Sequence, residues 1–430
     1  MTRAMKDSGI EWIGEIPKDW KIDKMNRICS VITDYVASGS FADLAENVKY
    51  LDEPDYAMLV RTMDVSNKGY SSKPVYINEH AYNYLKNSNL FGGELLLPNI
   101  GGVGEIYIVP KLYDKMSLAP NSIIIKTNYY DKYYYYFFYC EAGALSIKQI
   151  SQSTAQLKFN KTQFKQIKGC VPPLLEQQKI ADFLDEKCSH IDSVLEKVRA
   201  SIDEYKQLKQ SVITQAVTKG IRPNRPMKDS GIEWIGEIPQ DWSIIAHKYV
   251  MYKDKKICEH YNGEDIISLT MSGVIKRDLD AGGKMPTTFD GYQYVEPEDL
   301  LLCLFDIDVT PRCVGVVKDY GITSPAYSRF KVNKGYFNKY YDYLLRMIDN
   351  DKVFVHLAKN LRSSLKEDDF GAIKTIVPPM LEQKQISDYL DDKCSEIDKL
   401  ITKKEQLIAE LETYKKSLIY EYVTGKKEVK

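Results

Sequence analysis

The stretch "VPPLLEQQKIADFLDEKCSHID" at residues 171–192 returns as "VPPMLEQKQISDYLDDKCSEID" at 377–398, with 15 of 22 positions identical. Val171 precedes a proline and is biased toward an extended conformation. Pro172 and Pro173 suit a first helical turn, with Glu176 near the positive end of the helix dipole. Beyond them Ile180, Leu184, Cys188, Ile191, Leu195, Val198, Ile202 and Tyr205 recur in steps of four and three, the spacing of a coiled-coil seam. Gly220 and Pro223 end the pattern. The second copy runs through Ile386, Leu390, Cys394, Ile397, Ile401, Lys404, Ile408 and Leu411 and ends at Gly425, with Lys404 standing where the first copy has Val198. Each predicted helix is about 45 residues, roughly 65–70 Å at ~1.5 Å per residue.

A second repeat lies upstream of each helix. "MKDSGIEWIGEIPKDW" (5–20) recurs as "MKDSGIEWIGEIPQDW" (227–242), changed only from Lys18 to Gln240. This pair is offset by 222 residues and the helical pair by 206, so the segment between them is 16 residues shorter in the second half. The helix ends, "KQSVITQAVT" (209–218) and "KKSLIYEYVT" (415–424), keep the 206 offset. A period this long is a duplicated unit and not a solenoid repeat. The variable segments carry short β-rich runs at 56–65, 93–99, 105–109 and 121–127, then at 265–271, 298–305 and 313–318, broken by Gly, Asn and Pro. Each then turns helical at its tyrosine-rich stretch, 129–139 and 339–348, where the rings are expected to pack one helix face. The expected fold is α+β, with two mixed α/β domains separated by a long antiparallel two-helix coiled coil and related by a pseudo-twofold internal repeat. The expected divisions are 1–170, 171–221, 222–376 and 377–425, with Gly425 returning toward Met5.

Composition excludes several classes. In 430 residues the formal charge is −1, so any polyanion must be bound through local patches. Eight cysteines without a CxxC and five histidines yield no zinc spacing. No apolar run reaches the roughly 18–20 residues of a membrane span, and MTRAMKDSG lacks an apolar signal region, so a soluble cytoplasmic protein is expected. No Asn/Asp-Pro-Pro-Tyr/Phe methyltransferase motif, Walker loop, G-x-S-x-G or H-E-x-x-H occurs. The glycines of "FGGELLL" (91–97) and "GGVGE" (101–105) read as turns. Asp185, Lys187, Asp391 and Lys393 contain the letters of a metal nuclease, but on helices, where their recurrence reads as a duplicated docking face. No catalytic residue, metal site or bound cofactor is expected.

The layout, with "VPPLLEQQKIADFLDEK", "VPPMLEQKQISDYLDDK" and the doubled "SGIEWIGEIP", resembles the specificity subunit of type I restriction–modification systems over nearly the whole chain. That resemblance implies a non-catalytic DNA-binding subunit whose two target recognition domains each read half of a bipartite, asymmetric duplex site. It implies two methyltransferase subunits docked on the chain and restriction subunits joined through them, with S-adenosylmethionine, ATP and Mg on those partners.

Candidate DNA contacts follow from charge and side-chain type. "KQISQSTAQLKFNKTQFKQIK" (148–168) holds five lysines and no acid. Lys148, Lys158 and Lys161 suit phosphates, while Gln152, Ser153, Thr154 and Gln156 can reach base edges. The matching place in the second half carries Lys359, Arg362, Ser363, Ser364 and Lys366. Arg61, Lys276, Arg277 and Arg312 lie at strand ends or in loops and complete the candidates. Two other readings are an adaptor that binds protein partners through two lobes, and a self-contained modification enzyme, against which the missing cofactor motif argues.

Overall fold

A computed structural model describes residues 3–66, 73–151, 156–270, 273–279, 286–310, 313–358 and 364–429. The chain divides into two compact units, Met1–Val198 with Gln406–Lys430, and Arg199–Glu405.

In the first unit the strand Lys168–Val171 pairs antiparallel with Lys21–Lys24, Val171 opposite Lys21. Pro172 and Pro173 end that strand. The carbonyl of Pro173 accepts from the amides of Glu176 (2.9 Å) and Gln177 (3.0 Å), so the helix Leu174–Lys219 starts just after the prolines and not on them. The second unit repeats this register with Val377 opposite Ser243, and its long helix is Met380–Val423.

Each unit holds a four-stranded antiparallel sheet of the same spatial order. In the first the order is Cys29–Asp34, Ser122–Thr127, Leu95–Pro98, Tyr107–Ile108; in the second it is Met251–Lys253, Ser328–Val332, Leu300–Leu302, Val314–Val316. The units differ beyond this sheet. The first adds a mixed sheet around Ala57–Val60 and Met116–Leu118, a parallel pair. The second has two separate antiparallel pairs, Ile267–Thr270 with Gly273–Lys276 and Gln293–Val295 with Gly321–Thr323.

The tyrosine-rich stretches are helices, Asp131–Tyr139 and Asn338–Asn350, with Tyr133, Tyr134, Tyr136, Tyr340, Tyr341 and Tyr343 buried. A buried phenol needs a partner for its hydroxyl, and the ends of long helices leave carbonyls without one. The two needs meet. Tyr133 donates to the carbonyl of Val423 at 2.7 Å, and Tyr340 to that of Val217 at 2.8 Å. Both accepting residues lie in the last turns of the long helices. The buried amides Gln177 and Gln383 tie the same tyrosine helices to the other helix ends, accepting from the backbone amides of Tyr130 (3.2 Å) and Phe337 (2.8 Å).

The doubled leading motif is a clamp. Trp20 Nε1 donates to Glu176 at 2.9 Å, and Arg3 binds both Glu176 and Asp19. In the second unit Trp242 Nε1 donates to Glu382 at 3.1 Å, and Arg225 binds both Glu382 and Asp241. Against each indole lies the glycine that ends a long helix. Gly425 has φ +69°, and a Cβ there would stand 2.5 Å from Pro17 and 2.9 Å from Trp20. Gly220, at φ +75°, meets Trp242 and Glu382 in the same way. Only glycine combines that backbone with that approach.

Helix pairing is antiparallel within each unit. In the first, Phe183 packs against Tyr422 and Lys415 pairs with Asp192 at 2.6 Å; in the second, Lys209 pairs with Asp398 at 2.7 Å. Of the expected seam, Ile180, Leu184, Ile191, Leu195, Ile202, Ile386, Leu390 and Ile397 are buried, while Val198, Ile401, Ile408 and Leu411 are half-buried. Lys404 lays its ammonium over the ring of Tyr205, 5.5 Å from the centroid, which accommodates a charge in the seam.

Asp185 and Asp391, expected on a docking face, stay partly exposed and also have internal partners. Asp185 accepts from Tyr136 (2.8 Å) and Lys132 (2.5 Å), and Asp391 from Tyr343 (2.8 Å) and Lys339 (2.9 Å). These carboxylates hold each tyrosine helix to its long helix. No helix among the described residues is long and apolar enough to cross a membrane.

Two outcomes follow from this packing. Glu382→Ala leaves a buried indole N–H and a guanidinium without their acceptor, and should cost about 3–5 kcal/mol. Denaturant unfolding followed by tryptophan fluorescence reads it, and a loss under about 1 kcal/mol would show that the clamp is not structural. His247 is fully buried against Phe370, and burial lowers its pKa from 6.5 to about 4. Its neutral form is favoured in the fold, so this contribution to stability is complete above pH 6.5 and is lost as pH falls toward 4. The first half carries Met25 at that place. His247→Met should therefore flatten the acid limb of stability by roughly 3 kcal/mol, and equal pH profiles for variant and parent would refute the assignment.

Candidate nucleic-acid interface

The acid-free stretch of the first unit is distributed over three elements. Lys148 lies exposed on the helix Glu141–Ile150. Gln152, Ser153 and Thr154 lie outside the described residues. Gln156 and Lys158 are exposed, and Lys158 bridges Ile100 in an antiparallel contact. The next residue, Phe159, is buried, and its amide donates to the carbonyl of Asn99 at 3.2 Å. Asn160 then caps the short helix Lys161–Phe164 in a reciprocal capping box with Gln163.

This stretch closes on the loop after the inner strand Leu95–Pro98. Gly101 and Gly104 there have φ of +79° and +97°. A Cβ on Gly101 would stand 3.8 Å from the amide nitrogen of Gln156, and one on Gly104 would stand 3.2 Å from the Lys148 chain. The glycines thus let Gln156 and Lys148 lie close over a nearly bare backbone. A cleft of 530 Å³ opens beside the loop, lined by Arg61, Tyr50, Ile100, Gly101, Tyr107 and Asn121.

The predicted cations are not equivalent. Lys161 is half-buried, and its ammonium pairs with Asp34 at 2.8 Å. Arg61 is tied to Asp64 (2.7 Å) and to the carbonyl of Lys73 (2.9 Å), and the hydrogen bond to Asp64 raises its pKa further. Lys148 and Lys158 are exposed and make no ion pair among the described residues. Arg61, Lys148, Gln156 and Lys158 therefore surround one loop, while Lys161 is engaged elsewhere.

In the second unit Leu365 donates its amide to the carbonyl of Leu304 at 2.8 Å. This is the contact of Phe159 with Asn99 repeated, since 159 and 365 differ by the same 206 residues as the helical motifs. Ser364 accepts from the amide of Asp306 at 3.4 Å, and Lys366 is exposed just before the helix Glu367–Ala372. Lys276 ends the strand Gly273–Lys276 and pairs with Asp265 at 2.7 Å; Arg277, half-buried, follows it. Arg312, Lys359, Arg362 and Ser363 lie outside the described residues. Sequence reasoning took 101–105 as a turn and reached the loop 306–313 only through Arg312, read equally as a base contact or a surface turn. In the first unit the glycines at 101, 102 and 104 were the signal, and they read as a turn.

Residues 17–202 match the family model of the type I restriction modification DNA specificity domain. The MjaX type I restriction enzyme specificity subunit of Methanocaldococcus jannaschii is 24% identical over 97% of this chain and 96% of its own length. The chain is similar to type I restriction–modification specificity subunits over nearly its whole length. The MjaVIII specificity subunit of the same organism is 26% identical over 66% of this chain and 68% of its own. Two solved structures share the fold. One, from a study of assembly and conformational transition in the type I system, has a TM-score of 0.70 at 11% identity, covering 95% of this chain and 98% of the other. The other, a specificity subunit of Thermoanaerobacter tengcongensis, has a TM-score of 0.52 at 13% identity, covering 96% and 98%. Specificity subunits select DNA, are themselves non-catalytic and carry no cofactor of their own.

Removing an exposed lysine that meets a phosphate lowers affinity for all sequences and reduces the salt slope by about 0.9 per contact. Lys148→Ala with Lys158→Ala should therefore flatten log K against log salt by nearly 2 and leave base preference intact. Lys161→Ala should instead act on stability through Asp34. An unchanged slope in the double variant would mark this surface as merely solvated.

Proposed function

We propose that this chain reads a bipartite, asymmetric duplex DNA site, one half per unit, and carries the methyltransferase subunits that modify it, with restriction subunits joining through them. One observation carries the reading. A framework repeated residue for residue, Arg3, Trp20, Glu176 and Gln177 against Arg225, Trp242, Glu382 and Gln383, holds recognition segments that differ between the units. Duplication of the frame fits two equivalent docking positions for one kind of partner. Divergence of the segments fits two different half-sites.

The starts of the long helices support the docking part. Leu175 and Leu381 occupy equivalent positions and are both 65% exposed, beside Leu174 and Met380. Apolar side chains left open at the same place in both copies suit two copies of a methyltransferase subunit. The bound S-adenosylmethionine, ATP and Mg of the complex belong, on this reading, to the partners.

Segment exchange tests it. Replacing residues 21–170 with the corresponding segment of another specificity subunit should change one half of the methylated motif and preserve the other, as read by methylome sequencing of the host. A change in both halves would show that the units do not read separately. An unaltered motif would favour an adaptor that binds only proteins.

A further inference from the structure

The loops after the inner strands differ between the units although the strands that lead into them agree. The inner strands begin alike, Glu94–Leu97 (ELLL) against Asp299–Leu302 (DLLL). The eight residues that follow, PNIGGVGE (98–105) and CLFDIDVT (303–310), share no position. Yet each loop is pinned by the same backbone bond, from Phe159 to Asn99 and from Leu365 to Leu304. A constant mount holding a wholly changed tip is what two readers of different sequences require.

The second loop is internally braced. Asp306 sits at φ +46°, and its carbonyl accepts from the amides of Val309 (3.2 Å) and Thr310 (2.9 Å) and from the Thr310 hydroxyl (2.7 Å). This turn projects Asp306, Asp308 and Val309 into solvent, Val309 at 72% exposure. Neither carboxylate makes an ion pair among the described residues. An unpaired carboxylate is repelled by phosphates, so such a loop cannot serve the DNA backbone. It can accept from the exocyclic amine of cytosine or adenine, and an exposed valine can meet a thymine methyl. In the first unit the loop is almost without side chains, and Gln156 lies over Gly101 in their place.

Resting on the DNA reading above, we infer that the segments 99–105 and 304–310 are the base-reading tips of the two units. Gln156 supplies the side-chain contact in the first. Asp308 and Val309 supply it in the second, for a half-site containing an amine-bearing base beside a thymine.

The test uses the full chain assembled with its methyltransferase subunits in a host whose methylome is sequenced. Asp308→Asn and, separately, Val309→Ser should each relax one position of one half-site by about 10-fold or more in discrimination, leaving the other half intact. Gln156→Ala should relax only the half that those two leave unchanged. All three positions are exposed, so partner copurification and unfolding midpoints should match the parent. Full methylation of the parental motif by all three variants would overturn the inference. So would loss of methylation together with loss of the methyltransferase subunits on copurification, which would make the loops a protein contact. If the parental complex methylates no bipartite motif, the DNA reading itself fails, and this inference with it.

Discussion

A single carboxylate at the start of each long helix organises this protein. Glu176 and Glu382 each accept from a buried tryptophan and bind an arginine from the segment that leads into the unit. The carboxylate also sits at the positive end of its helix, where negative charge is favoured. Glu382 is 2% exposed, so it is shielded from water and bonded to those partners, and they in turn to it. Through this group the leading motif, the helix start and the glycine at a helix end are fixed in one place. The sixteen-residue motif is repeated because the chain builds that junction twice.

The tyrosine helices extend the same economy. Their rings fill each core, while their hydroxyls satisfy carbonyls that the last turns of the long helices cannot pair internally. Asp185 and Asp391 bind the same tyrosine helices from the side. These are polar groups matched to polar needs inside an apolar core, where an unpaired group costs the most. The frame therefore tolerates little change, and the loops that it holds bear none of these bonds.

Function divides along that line. The framework side chains repeated in both units, Trp20, Glu176 and Gln177 with Trp242, Glu382 and Gln383, are engaged in internal bonds. Lys161, whose counterpart at the 206-residue offset is Glu367, is likewise spent internally, on Asp34. The positions that differ, around Gly101 and around Asp308, are open to solvent and mounted rigidly. If these loops read bases as inferred above, specificity can change there without disturbing the clamp, the tyrosine helices or the helix seam.

Much of the frame was legible in the sequence because its signals are local or periodic. Steps of three and four from Ile180 to Ile202 marked the helix seam, Gly220 and Gly425 marked its ends, and the repeats marked the duplication. Only the tertiary structure decided which cation is free. Lys158 and Lys161 are three residues apart and chemically identical, yet Asp34, far off in the chain, holds one and leaves the other exposed. The same holds for the candidate reading surface. Asn99 meets Phe159, and Leu304 meets Leu365, across some sixty residues of intervening chain. Such pairings leave no period in the sequence, because they are set by how the strands and helices close on one another and not by the residues along either one.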